Sequence, residues 1–304
     1  MLPTLVVLAG ATAVGKTALS LALAERLDTE ILSADSRQFY RQMAIGTAKP
    51  SPSDLACVPH HFVDFLPIAE RYTVADFERE ALSVLSDLFQ KKQYALLVGG
   101  SGLFIKALCE GLDQMPEVPL SFRQDLMQLL ENEGVEALLE ELKTSDPLYF
   151  EQVDKANGQR VVRALEVIRA TGQPFSSFRT QEKKTRPFRI VKIMLDRPRP
   201  MLYARIEARV EQMLELGLEQ EVRELYPFRH LNALQTVGYQ EFFPYFEGLT
   251  DFAQTVAQIK QNTRRYAKRQ LTWFRKDADF LWLDIEGKSQ DWVLGQIEKR
   301  IAAD

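Results

Sequence analysis

The sequence predicts an α/β fold, a parallel sheet flanked by helices, with a helical insertion domain set into it. Three observations predict it. Short apolar runs alternate with helix-spaced ones over the first hundred or so residues. A glycine-rich turn joins the first such run to the first helix. Residues 110–187 then carry helical patterning with no strand-like run, before strands and helices resume.

Leu5-Val-Val-Leu-Ala9 reads as a short buried strand. Lys16 to Leu27 follows with Leu19, Leu23 and Leu27 at helical spacing. Glu30 to Ala34 is a second strand, ending at Asp35. Val74 to Lys91 is amphipathic, with Phe77, Ala81, Leu85 and Leu88 near one side. Tyr94 to Val98 is a third strand and runs into Gly99-Gly100. Strand, helix, strand, helix, strand implies parallel pairing with right-handed crossovers. Past the helical stretch, Arg189 to Leu195 alternates as a returning strand. Helices are expected at about 200–216, 218–226 and 252–276, then a strand at Phe280 to Leu283 and a helix at Gln290 to Ile301. The expected division is an α/β core at 1–109 and 188–304 and a helical insertion at 110–187.

The 304 residues are 46% hydrophobic, enough for a sizeable core. No apolar run approaches the ~20 residues that span a bilayer. Leu5 to Ala9 is too short for a signal-peptide core and lacks a basic leader, so no membrane partner and a cytoplasmic location are expected. Cys57 and Cys109 are the only cysteines, which excludes a disulfide framework and a four-cysteine zinc site. No surplus apolar helix is evident, so a monomer is expected. His60-His61 has no third ligand in the sequence, and a buried or capping role is expected for the pair.

Net charge is −4, which by itself does not favour nucleic acid, but its distribution does. Glu110 to Asp154 holds 12 acidic and 2 basic residues, whereas Lys155 to Pro200 holds 12 basic and 3 acidic. Lys260 to Lys276 holds 7 basic residues and no acid. Two basic blocks in an acidic chain fit a local polyanion site, against the plain alternative of solvated charged helices.

Gly10-Ala11-Thr12-Ala13-Val14-Gly15-Lys16-Thr17 fits G-x-x-x-x-G-K-[ST], with a strand before it and a helix after it. The fold is therefore expected to be P-loop NTPase-like. Backbone N–H groups and a helix N-terminus would meet phosphate oxygens, Lys16 would add a full charge, and the Thr17 hydroxyl is placed to ligate Mg2+. The loop specifies a diphosphate or longer; it does not specify a nucleotide. An NTPase also wants an acid after a later strand. The third strand ends instead in Gly99-Gly-Ser-Gly102, and Asp35 is the one acid directly after any of the first three strands. Asp35 reads either as a general base at the mouth of the phosphate site or as a helix N-cap or outer magnesium ligand.

These segments resemble the tRNA dimethylallyltransferases, also called tRNA isopentenyltransferases. The resemblance runs through residues 10–17, Asp35-Ser36-Arg37-Gln38, Ile45-Gly-Thr-Ala-Lys-Pro50 and Pro59-His-His61. It continues through Gly99-Gly-Ser-Gly-Leu103, Arg160-Val-Val-Arg-Ala-Leu-Glu-Val167, Gly238-Tyr239 and Ala267-Lys-Arg-Gln-Leu-Thr-Trp-Phe274, covering nearly the whole chain in order. Ala11 stands where the family usually has proline. No zinc-finger tail of the kind found in some eukaryotic members is present, so the resemblance is to the bacterial type.

The resemblance implies transfer of a dimethylallyl group from dimethylallyl diphosphate to the N6 amine of the adenine 3′ of the anticodon, position 37 of tRNA. Asp35 would accept the amine proton, and residues 10–17 with Lys16 and Mg2+ on Thr17 would hold the departing diphosphate. Arg223 would reach the same diphosphate. The tRNA anticodon stem-loop would meet Asp35, Ser36, Arg37, Gln38, Ser101 and Arg123, and also Gln159, Arg160, Val161, Val162 and Arg163. By charge, Arg160, Arg163, Lys183, Lys184 and Arg186 are candidate phosphate contacts, with Arg264, Arg265, Lys268, Arg269 and Arg275. Phe39, Tyr40, Tyr239, Tyr266, Trp273 and Phe274 are available for stacking, although Trp273 and Phe274 could equally pack under the sheet. Three other readings share parts of this pattern: a small-molecule or nucleotide kinase, a prenyltransferase acting on free AMP, ADP or ATP, and a non-catalytic RNA-binding module.

Overall fold

The structure is a computed structural model and describes residues 2–180 and 182–303. In chain order the elements are β1 (Thr4–Gly10), α1 (Lys16–Arg26), β2 (Ile31–Ala34), α2 (Pro52–Cys57), β3 (His60–His61), α3 (Val74–Leu88), β4 (Tyr94–Gly99) and α4 (Gly102–Glu110). Then follow α5 (Leu120–Glu133), α6 (Val135–Ser145), α7 (Pro147–Gln152) and α8 (Gly158–Thr171). The chain closes with β5 (Arg189–Asp196), α9 (Arg199–Glu215), α10 (Leu218–Leu225), α11 (Phe242–Phe246), α12 (Phe252–Phe274), β6 (Leu281–Asp284) and α13 (Gln290–Ala303).

The described residues up to Cys109 and from Arg186 onward form one compact unit, and those of Glu110–Thr185 form a second. The first unit is built on a six-stranded sheet of order β3-β2-β4-β1-β5-β6, with every pairing parallel. β1 is central, and all seven of its residues are buried. That is why its sequence is a continuous apolar run without alternation: helices cover both faces. The helices are started by side chains where the sequence allows. Ser51, Thr73 and Asp251 each form a capping box, with Asp54, Asp76 and Gln254. β3 escaped the sequence reading because two residues carry no period. It is an edge strand paired at Ile31↔His60 and Leu32↔His61.

Register fixes where the loops meet. Gly99 lies level with Ala9 on one side and with Ala34 on the other. The turns that leave β1, β2 and β4 therefore start from the same rung at the carboxyl edge of the sheet, where open parallel sheets bind ligands. Gly99 makes this approach feasible, since a Cβ there would come within 2.2 Å of the Ala34 carbonyl oxygen.

In the second unit α8 packs against α5 and α6 through Val161, Val162, Leu165, Leu126, Leu138 and Leu142. The sequence reading ended this region at 187, but Arg186 belongs to the first unit. Its guanidinium donates to the carbonyls of Leu108 (2.8 Å) and Ala107 (2.7 Å) near the end of α4 and pairs with Glu78 at 2.7 Å. It caps a helix end, which removes it from the candidate RNA contacts.

Candidate active site

The phosphate loop leaves β1 at Gly10 and turns back on itself at Ala13 (φ 63°) and Gly15 (φ 113°). Glycine is required at 15 because that conformation crowds a Cβ, and an alanine at 13 costs of the order of 1 kcal/mol. Side chains from three places hold the loop carbonyls. Arg205 Nε donates to Ala13 O at 2.8 Å and Arg197 Nε to Val14 O at 2.9 Å. Lys16 Nζ donates to Gly10 O and Ala11 O, both at 2.9 Å. α1 then begins at Gly15 without a side-chain cap, so its first-turn N–H groups and its dipole remain for an anion.

Gln270, buried in α12, ties this loop to the turn after β4. Its Oε1 accepts from Thr12 N at 2.9 Å and its Nε2 donates to Gly100 O at 2.9 Å. A Cβ on Gly100 would lie 2.2 Å from that Nε2. The same turn carries Ser101, whose Oγ accepts from Ser36 N at 3.1 Å. Ser101 is thereby seated against the residue after Asp35.

Asp35 follows β2 and accepts from Arg37 N at 3.1 Å. Together with Thr12, Ala13, Gly15, Lys16 and Thr17 it lines one cavity of about 820 Å3, with Tyr266, Arg205 and Arg209 on its wall. Burial pushes Lys16 down to about 8, with Arg209 adding to the effect and Asp35 opposing it. Burial, then the Asp35 charge, raises the Tyr266 phenol. Burial lowers the Arg209 guanidinium, against the pull of Asp35. One carboxylate therefore sits among Lys16, Arg205 and Arg209, of which Lys16 and Arg209 are half-buried.

Another wall is the segment 44–52, lined by Ala44, Ile45, Ala48, Pro50 and Pro52. Glu221 of α10 latches it. Its carboxylate accepts from the N–H groups of Ala44 (2.9 Å), Ile45 (2.7 Å) and Gly46 (3.0 Å) and from Tyr239 Oη (2.6 Å). Gly46 admits the Tyr239 ring, which a Cβ would meet at 2.5 Å. Gln38 supports the segment from the other side, donating to Thr47 O and Ala48 O at 3.2 Å each. Arg37 is spent on the carbonyls of Asn232 (2.8 Å) and Ala233 (3.1 Å).

The sequence-derived set therefore divides. Residues 10–17, Asp35, Ser36, Gln38 and Ser101 are brought together. Arg223 does not join them: it is exposed on α10, paired with Glu219 at 2.6 Å and laid over the Phe246 ring. In the second unit Gln159 and Arg160 are exposed at the start of α8. Arg123 and Arg163 share the buried Glu166, the former at 3.2 Å. Val161 and Val162 are a correction, since both side chains are fully buried in that unit's core and offer no surface to RNA.

Among the stacking candidates Phe39, Tyr40, Tyr239 and Phe274 are buried, which leaves Tyr266 in the cavity and Trp273 outside it. Trp273 is not packed under the sheet. Its edge lies against Gly102, where a Cβ would come within 2.2 Å, and the ring borders a groove of about 410 Å3 with Arg265, Lys268, Arg269 and Lys276. His60 Nδ1 bonds Val58 O and His61 Nε2 bonds Glu30, both at 2.7 Å, so the pair is structural. His230 is exposed.

Sequence reasoning missed Gln270, Glu221, Arg205 and Arg209. Arg205 and Arg209 are four apart on one helix, so they share a face, but that spacing alone does not distinguish a site from a solvated surface. Glu221 lies two residues before Arg223, the residue that the resemblance singles out.

A loop of this form, opening a helix at the carboxyl edge of a parallel sheet beside a lone carboxylate, defines a phosphate-binding α/β protein of the P-loop type. Residues 38–277 match the family described as IPP transferase. The tRNA dimethylallyltransferase of Christiangramia forsetii is 48% identical over 292 residues, 96% of this chain and 96% of that protein. The solved tRNA isopentenylpyrophosphate transferase of Bacillus halodurans aligns with a TM-score of 0.70 at 35% identity, covering 99% of this chain and 98% of that one. A eukaryotic dimethylallyltransferase, solved acting on tRNA, shares the fold with a TM-score of 0.80 at 24% identity, covering 99% of this chain and 80% of that one. The chain belongs to the tRNA dimethylallyltransferase family.

Proposed function

We propose that this chain transfers the dimethylallyl group of dimethylallyl diphosphate to the N6 amine of the adenine 3′ of the anticodon, position 37 of tRNA, releasing diphosphate. It is a prenyltransferase, and tRNA is its acceptor. One observation carries the reading: a phosphate loop and a single carboxylate, Asp35, line one cavity.

The adenine amine is a weak nucleophile because its lone pair is delocalised into the ring. As N6 bonds to C1 of the allylic group, the C1–O bond to diphosphate breaks and the N6 proton passes to the Asp35 carboxylate. An allylic carbon tolerates positive character, so stabilising the leaving group is a large part of the task. The amides at the start of α1, Lys16 and the α1 dipole meet the charge that grows on the diphosphate. Thr17 and Asp35 offer oxygen donors on the cavity wall, which suit a hard divalent cation such as Mg2+. Thr17 would hold that ion, which when bound neutralises part of the diphosphate charge. The apolar stretch at Ile45, Ala48 and Pro50 supplies a wall for the five-carbon group.

The target base must leave its stack, at a cost of a few kcal/mol. Phosphate contacts from Lys268 and Arg269 offset it, with Trp273 as a stacking surface beside them. In the second unit Gln159 and Arg160, and Arg123 and Arg163 around Glu166, supply a further polar and basic surface. The same reading sets the enzyme, as a monomer, in the cytoplasm with its substrate. No helix among the described residues is long and apolar enough to cross a membrane.

The test is incubation with labelled dimethylallyl diphosphate, Mg2+ and unmodified tRNA, AMP or no acceptor. Label entering tRNA is expected. Label entering AMP alone, or turnover of ATP without prenyl transfer, would overturn the reading in favour of a nucleotide prenyltransferase or a kinase.

A further inference from the structure

We infer that the Tyr266 hydroxyl reads the target adenine, donating to one of the two ring nitrogens that flank N6 while Asp35 takes the N6 proton. The inference rests on the proposed function and names how its acceptor base is selected. Tyr266 stands on α12, one turn before Gln270. Ile259, Ala267 and Phe274 bury this helix in the core. Gln270 bonds both Thr12 N and Gly100 O, so the helix is pinned to the phosphate loop and to the turn that seats Ser101 against Ser36. The phenol is thereby fixed relative to Asp35, and both line the same cavity.

Gln38, Thr47 and Ser51 on that wall are engaged. Gln38 donates to Thr47 O and Ala48 O, Thr47 donates to Met43 O, and Ser51 caps α2. Tyr266 makes no hydrogen bond with a described residue. No fully buried side-chain nitrogen or oxygen among the described residues lacks a partner, so its hydroxyl opens onto the cavity. The Asp35 charge acts through space on Lys16, Arg37 and Arg209, which are cations, and on the Tyr266 phenol. No hydrogen bond joins Asp35 to that phenol, so an acceptor and a donor border one space without closing on each other. Burial and the Asp35 charge keep the phenol protonated, which makes it a donor at working pH.

Adenine presents a donor, the N6 amine, flanked by the acceptors N1 and N7. A carboxylate beside a hydroxyl offers the complementary acceptor and donor, as an asparagine or glutamine amide does when it reads adenine. Guanine carries a carbonyl oxygen at that place, which would meet the Asp35 carboxylate lone pair to lone pair. A desolvated ring nitrogen without a donor costs free energy, so the hydroxyl favours the orientation that turns N6 towards Asp35.

The experiment measures transfer of labelled dimethylallyl group to an anticodon stem-loop carrying adenine, 1-deazaadenine or 7-deazaadenine at position 37. The wild-type chain and Tyr266→Phe are compared. The change that each analogue makes in amine reactivity is common to both chains and cancels in the comparison. Wild type is expected to lose about 10-fold more kcat/KM than the variant does on one of the analogues, and the variant about 10-fold on adenine itself. Diphosphate affinity, titrated with Mg2+, should match wild type and shows that the variant is folded. Transfer to adenine by folded Tyr266→Phe within about twofold of wild type overturns the inference. So does a variant that loses as much on each analogue as wild type, since the hydroxyl then meets neither nitrogen. If Tyr266→Phe does not bind diphosphate, Tyr266→Leu takes its place with the same two outcomes. A wild-type chain that labels no stem-loop breaks the functional reading, and this inference falls with it. A wild-type chain that labels adenine, matched by the variant, breaks this inference alone.

Discussion

The phosphate cavity and the outer face of α12 are both basic, and they use charge in opposite ways. Around the cavity Lys16, Arg197 and Arg209 are half-buried, and Lys16, Arg197 and Arg205 are tied to named carbonyls. On and just past the end of α12, Arg265, Lys268, Arg269 and Lys276 are exposed around Trp273. One helix serves both regions, because Gln270, a residue away from Arg269, is buried and reaches the loop and the Gly100 turn. Desolvated charge acts over one or two bonds and is weakly screened, which suits a leaving group. Exposed charge acts over a Debye length of ~8–10 Å and yields to salt, which suits the capture of a long polyanion.

The largest expected effect separates chemistry from capture. Asp35→Asn keeps the size of the side chain but cannot take the amine proton. Turnover should fall by roughly 10²- to 10⁴-fold while tRNA affinity stays near wild type. Wild-type turnover in this variant would remove the base role. Glu221→Ala is next. It strands three N–H groups and the Tyr239 hydroxyl, so a loss of about 2–3 kcal/mol of stability is expected, with a raised KM for dimethylallyl diphosphate as the 44–52 wall loosens. A thermal melt and a KM measurement check it; an unchanged KM would free that segment from the prenyl site.

What the sequence disclosed follows the same line. The loop, Asp35 and Ser101 were legible because their chemistry is carried by a local motif after a strand, and register alone then brings them together. The strands were legible for a similar reason, since both-face burial writes an apolar run. Glu221 and Gln270 were not, because what they do depends on partners 175 to 177 and 170 to 258 residues away along the chain. Val161 and Val162 misled for a related reason. They stand within a stretch that presents Gln159 and Arg160 to solvent, and helical geometry turns the two valines inward.

A smaller effect bears on the outer face. Replacing Lys268 and Arg269 with alanine should leave turnover at saturating tRNA close to wild type. It should lower the slope of log affinity against log salt by roughly 0.7–0.9 for each RNA phosphate that the variant no longer neutralises. A plot parallel to wild type would mean that RNA does not touch this face, and the contrast between the two regions would need another polyanion surface.

The smallest effect sharpens the cavity side. Burial holds Lys16 at about 8 in the free chain. A bound diphosphate adds negative charge beside it and favours the ammonium, so its pKa rises on binding. Below the free value Lys16 is already charged and its contribution to affinity is complete. Between the free and bound values, binding must take up a proton, so affinity falls as pH rises through 8, approaching tenfold per pH unit. Diphosphate itself also ionises, but equally for every variant. Lys16→Arg, charged throughout, therefore serves as the reference, and the ratio of its affinity to that of wild type should climb above pH 8. A ratio flat from pH 7 to 9.5 would mean that Lys16 does not meet the diphosphate as a titrating cation, and the distinction between desolvated and exposed charge would lose its central case.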